Sequence, residues 1–239
     1  MKKINVIYST ICLALMSLLF FTGCDDGRIY PDELGEAEGG KATMRVVFKG
    51  QEAWPSAYML VFAAFGEDEG MPVVSKIISQ PSKENAEVAV TLNGLSEGIK
   101  KVSIAVTNKG RELVYAYYTF PIDDPSQEVT LPISEINLAS YDRIQNQVFD
   151  SYCIRCHGAG NQAAANLNLT KDYSPESLIN VPSALSGKGE LLVTPQQADE
   201  SFLVKVLKED VIQYNHMDVL PEAELVTLIE TWVNKSIED

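Results

Sequence analysis

From residue 42 to residue 133 the apolar positions fall in short runs rich in Val, Ile, Tyr and Phe: 43–48, 58–65, 73–78, 87–92, 102–107, 113–120 and 128–131. Turn-forming clusters separate them, among them Gly66-Glu67-Asp68-Glu69-Gly70, Asn108-Lys109-Gly110 and Asp123-Asp124-Pro125-Ser126. Short runs at regular spacing, each closed by a turn, predict about seven strands packed as an antiparallel β-sandwich over residues 42–135. Strict alternation in 113–120 would put Val114, Ala116, Tyr118 and Phe120 on one face and Leu113, Tyr115 and Tyr117 on the other. Trp54, Tyr58, Tyr115 and Tyr117 are candidates for a stacking surface, but strand aromatics ordinarily serve packing.

After Pro132 the period lengthens. Ser140 is placed to cap a helix in which Ile144, Val148, Phe149 and Tyr152 share a face. Pro221 suits a first helical position, with Glu222 and Glu224 at the positive end of the dipole. Leu225, Leu228, Ile229, Trp232 and Val233 then follow at helical spacing. Short helical turns are predicted at 174–176 and 200–207, so residues 140–239 read as a small all-α domain with one long loop, 158–194.

The N-terminus changes the picture of where the chain works. Lys2 and Lys3 precede an apolar run, 6–21, broken by Tyr8, Ser9, Thr10 and Ser17. A charged start and a run shorter than the roughly 18 residues of a spanning helix read as a secretory signal over 1–23. Phe21-Thr22-Gly23-Cys24 resembles the lipobox of bacterial lipoproteins, which makes Cys24 the lipidated residue. Residues 24–41, Gly- and Glu-rich without hydrophobic period, read as a flexible tether. The expected location is the cell envelope, lipid-anchored at the outer membrane on its periplasmic or surface face.

Of 19 basic side chains two leave with the signal, so 17 remain against 33 acidic ones, a net charge of −16. That balance disfavours nucleic acid and leaves the lipid anchor as the route to the membrane. The chain has four cysteines; Cys12 lies in the signal and Cys24 at the lipobox, which leaves Cys153 and Cys156. One close pair in an exported chain is not a disulfide framework.

Cys153-Ile154-Arg155-Cys156-His157 has the spacing of covalent haem attachment. On a helical turn positions i and i+3 share a face, so both sulfurs can reach one porphyrin edge, and position i+4 brings the imidazole under the iron. A structural zinc site would need these three residues and His216 to converge. A thioredoxin-like pair would need a strand before it, where a helix is expected.

Residues 148–233 resemble the short class I cytochrome c domains of bacterial envelope proteins, of the Planctomycete type. The matching residues are 149–158 around the motif, Leu167-Asn168-Leu169, Pro195, Ser201-Phe202-Leu203, Met217 and the helix through Trp232. The resemblance implies one covalent haem c with its iron between His157 and an axial ligand from the loop before the last helix. Met217, the one thioether in that part of the chain, is the expected ligand, with His216 as its rival and an open site as a third outcome. Val148, Phe149, Tyr152, Leu167, Leu169, Phe202, Leu203, Val206, Leu228 and Trp232 are candidates for the haem wall. Leu92-Asn93-Gly94-Leu95 before 101–107 resembles a connection in immunoglobulin- and fibronectin-like modules. Together these imply an electron carrier working between envelope redox partners. The alternatives are an accessory lipoprotein whose sandwich docks a glycan or protein, and a small peroxidase-like enzyme. The enzyme is short of acid–base residues beyond His216.

Overall fold

A computed structural model describes residues 39–158 and 163–235, which belong to one compact unit, Glu38–Asp239. The signal, the lipobox with Cys24 and most of the tether lie outside the described residues.

The strands form where the two-residue period predicts them: β1 Gly40–Lys49, β2 Met59–Phe65, β3 Val74–Ile77, β4 Glu87–Leu95, β5 Lys101–Thr107, β6 Leu113–Pro121 and β7 Glu128–Thr130. An eighth, β8 Glu135–Asn137, was not foreseen. One sheet has the order β3-β2-β5-β6, antiparallel throughout. In the other, β1 pairs antiparallel with β4 on one side. Its other side carries β7 and then β8, both parallel to it. The wholly antiparallel sandwich is therefore corrected. The chain crosses from one sheet to the other after β6 and runs along β1 in the same direction, interrupted by Pro132, which lacks a ladder donor. Ala42, Met44, Val46 and Phe48 of β1 face Leu60, Phe62, Val102, Ile104 and Val106 in one core.

Strand β6 departs from simple alternation. Ala105 pairs with Ala116 and Ile104 with Tyr118, which leaves Tyr117 as the extra residue of a bulge. A bulge re-aims the side chain it carries. Tyr117 packs at right angles on Tyr115, 5.0 Å between ring centres, and donates to Leu138 O at 3.0 Å. Trp54 packs edge-on against Phe48 at 5.3 Å. These aromatics are packing residues.

The expected all-α second domain is also corrected. Of the described residues 26% are helix and 29% strand, and the helices after β8 are mostly single turns. They are α1 Tyr141–Ile144, α2 Ile154–His157, α3 Ser174–Leu178, α4 Phe202–Lys208 and the longest, α5 Ala223–Lys235. Between α3 and α4 the chain holds Pro182, Gly187 and Gly189, which favour turns, and it closes on two isolated bridges, Ile179–Val193 and Pro182–Leu191. These short helices share one core with the sheets instead of building their own: Val148, Phe149, Leu203, Leu228 and Trp232 belong to the same cluster as Phe48 and Ile104. None of the described helices is long and apolar enough to cross a membrane.

One helix terminus behaves as the sequence suggests. Ser140 is extended and its Oγ accepts from Arg143 N–H at 3.4 Å, capping α1. Ser140→Ala should cost about 1 kcal/mol of unfolding free energy by urea titration, and an unchanged midpoint would show the cap to be idle. Helix α5 begins at Ala223, so Pro221 and Glu222 precede it instead of opening it; it buries Leu225, Leu228, Ile229, Trp232 and Val233, as its spacing requires. The segment between α1 and α2, Gln145–Cys153, is wound as a π-helix, not as the α-helix expected. Ile154 N–H donates to Phe149 O, Ser151 Oγ to Asn146 O and Gln145 Nε2 to Asp150 Oδ1, each across five residues. Such wider turns are rare and often lie beside functional sites.

Candidate haem-attachment site

The motif occupies the end of the π-helical segment and all of α2, so Cys153 and Cys156 lie one turn apart. Neither forms a disulfide; Cys153 is half-buried and Cys156 exposed. The chain must leave α2 at Gly158, where a Cβ would lie 2.6 Å from Ile154 O, too close for any other residue without a shift. It then returns to the motif, with Leu169 N–H donating to His157 O at 2.7 Å and Leu169 buried.

His157 is held from outside the helix. Its Nδ1 lies 3.0 Å from Ala164 O. That carbonyl is presented by a tight turn, Ala164–Asn166, in which Ala165 (φ 54°) and Asn166 (φ 56°) are both left-handed. The left-handed region costs a residue with a Cβ roughly 1–2 kcal/mol, and such strain gathers at functional sites. With a carbonyl as its partner, Nδ1 carries a proton, and the Leu167 carbonyl also interacts with the ring. Burial lowers the His157 pKa, and the nearby His216 lowers it too, against the Ala164 and Leu167 carbonyls, which raise it. The net shift favours the neutral imidazole, the form that ligates a metal.

Burial pushes the Cys153 thiol up to about 12, with Cys156 adding to the shift. The two thiols differ in access as well. In chain produced without haem, iodoacetamide at pH 8 should label Cys156 well before Cys153, followed by peptide mass spectrometry. Equal rates would show that the segment opens freely.

The loop before α5 approaches the motif. The rings of His157 and His216 lie 6.1 Å apart at 35°. His216 Nδ1 lies 2.7 Å from Tyr214 O, and the Tyr214 ring stands edge-on to it at 5.1 Å. Met217 is 45% exposed, its backbone N–H donating to Asn215 Oδ1 at 2.8 Å. Val211 and Tyr214 of the same loop are exposed apolar residues. The candidate wall residues, apart from the half-buried Tyr152, are in the common core. Among the described residues no three of His, Cys, Asp and Glu converge as a metal site, so the four-ligand zinc arrangement is not assembled.

The donor set fits a covalent haem: two unpaired thiols at i and i+3, and an imidazole whose Nδ1 is already bound. The thiols would hold the porphyrin, and His157 Nε2 would take the iron.

Sequence reasoning missed a second polar centre, between α1, α5 and the sheets. The Arg143 side chain is 1% exposed. It donates to Ala53 O and Leu138 O at 3.0 Å, Tyr117 Oη at 2.7 Å and Gln147 Oε1 at 2.9 Å. Its Nη2 lies 4.0 Å from Glu224 Oε1. Glu224 Oε2 accepts from Ser56 N–H and Ala57 N–H at 2.5 Å and from Ser56 Oγ at 2.9 Å. An arginine beside the apolar face of α1, with Gln147 one turn on, was the available signal.

Compared with family models, curated proteins and solved structures, the chain matches none.

Proposed function

We propose that this chain is an exported, lipid-anchored c-type cytochrome that carries one covalent haem and passes electrons between redox partners in the cell envelope. The observation that carries the reading is the support of His157: in a motif with two free thiols, its Nδ1 is tied to Ala164 O, the outer-shell hydrogen bond of a ligating histidine. The haem supplies the one-electron chemistry; the chain fixes the ligands and sets the polarity around them. The sixth ligand comes from the loop before α5, which holds both His216 and Met217. Cys24 carries the lipid, and the acidic mature chain stays in water beside the membrane.

The test is reversible redox cycling. Protein made with haem-maturation machinery should show sharp reduced bands with dithionite and recover its oxidised spectrum in air. Its ferrous form should not bind carbon monoxide, because an electron carrier keeps both axial positions filled. Ready carbon monoxide binding would favour small-molecule chemistry at the iron instead.

A further inference from the structure

The chain has two histidines in 239 residues, and the fold brings them together. Resting on the proposed haem attachment, we infer that the sixth ligand is His216 and that the site is a bis-imidazole one, not the histidine–methionine site expected from the sequence.

Three observations carry this. Imidazole nitrogens bind transition metals at about 2.0–2.1 Å, which puts each ring centre about 3.2 Å from the metal and two opposed rings about 6.4 Å apart. His157 and His216 are 6.1 Å apart between centres, close to that spacing. Secondly, the two rings are supported alike: Nδ1 of His157 lies 3.0 Å from Ala164 O and Nδ1 of His216 lies 2.7 Å from Tyr214 O. A carbonyl on one ring nitrogen is the outer-shell arrangement of ligating histidines. Thirdly, Met217 is 45% exposed, and its backbone is held in a turn by Asn215 Oδ1. Adjacent residues of that turn cannot both serve one axial position.

The assignment changes what the protein does with its electron. A thioether ligand raises the reduction potential relative to imidazole, so a bis-imidazole iron makes a lower-potential carrier. Its partners would be correspondingly reducing.

The experiment uses the holoprotein after denaturing extraction and refolding, so that only attached haem is observed. The ferric protein should be low-spin by electron paramagnetic resonance and lack the weak long-wavelength sulfur–iron absorption. Met217→Ala should leave both features as they are. His216→Ala should turn the ferric iron high-spin, and His216→Met should raise the midpoint potential, which mere ring stacking would not produce. A sulfur–iron band in the wild type that disappears in Met217→Ala would overturn the assignment while leaving the cytochrome reading intact. Haem lost during extraction would overturn the cytochrome reading and the assignment with it. If His216→Ala does not fold, the wild-type spectrum and Met217→Ala still decide.

Discussion

Replacing Arg143 with Met should destabilise the protein by about 3–5 kcal/mol, the usual result of removing one partner of a buried ion pair. The size follows from what is left behind. The Glu224 side chain is 7% exposed, and its Oε1 has no hydrogen-bond donor, so the guanidinium 4.0 Å away is the cation that balances it. The substitution also removes the donor shared by Ala53 O, Leu138 O and Tyr117 Oη. Arg143→Met/Glu224→Gln should recover part of the loss, because a neutral amide needs no cation and can still accept from Ser56 and Ala57 N–H. Urea titrations with an unchanged slope would measure both variants. A single-variant loss below about 1 kcal/mol would mean that water reaches the pair and screens it. Since domains are stable by only about 5–15 kcal/mol, the expected loss is a large share of the total. It would fall on the contact that fixes the helix leading to Cys153 against the sheets.

Trp232→Ala should cost a similar amount, about 3–5 kcal/mol, for a different reason: it removes volume, not charge. Trp232 is 2% exposed, and its ring lies 5.3 Å from Tyr141 at a tilt of 48°. Tyr141 in turn meets Phe149 edge-on at 6.4 Å and is hydrogen-bonded to the buried Ser174. Burial pushes the Tyr141 hydroxyl up to about 12. The indole therefore wedges α5 against both α1 and the π-helical segment that carries the motif. Ser174 also donates to Gln145 Oε1 at 2.5 Å, so this contact is hydrogen-bonded as well as packed and cannot easily collapse into the cavity. Denaturant unfolding should show the loss, and Trp232→Phe should retain part of it. A loss under about 1 kcal/mol in Trp232→Ala would show that α5 is not held through this ring.

The strands were legible because each carries its own signal. In β1 the buried residues Ala42, Met44, Val46 and Phe48 alternate with more exposed ones, and turn residues close each run. What sheet each strand joins was not legible, because that depends on the crossing after β6. Strand β8 is three residues long, too short to display a period. The bulge at Tyr117 inverted half of an alternation read as regular. Ile144, Val148, Phe149 and Tyr152 were recognised as inward-facing, but their spacing suits a π-turn nearly as well as an α-turn, and the hydrogen bonding alone separates the two. The proposed haem chemistry of the motif rests on five adjacent residues, which a sequence displays directly. The approach of His216 to His157 and the pair Arg143–Glu224 are contacts between distant segments, which no local spacing encodes.

The central claim is that haem is bonded to Cys153 and Cys156. Its most direct test is the intact mass of protein made with haem-maturation machinery and denatured in acid before analysis. The expected result is a chain heavier by one haem, with the added mass on the peptide containing both cysteines and absent from Cys153→Ser/Cys156→Ser. A chain at its bare polypeptide mass under the same conditions, with both thiols free to alkylate, would contradict it.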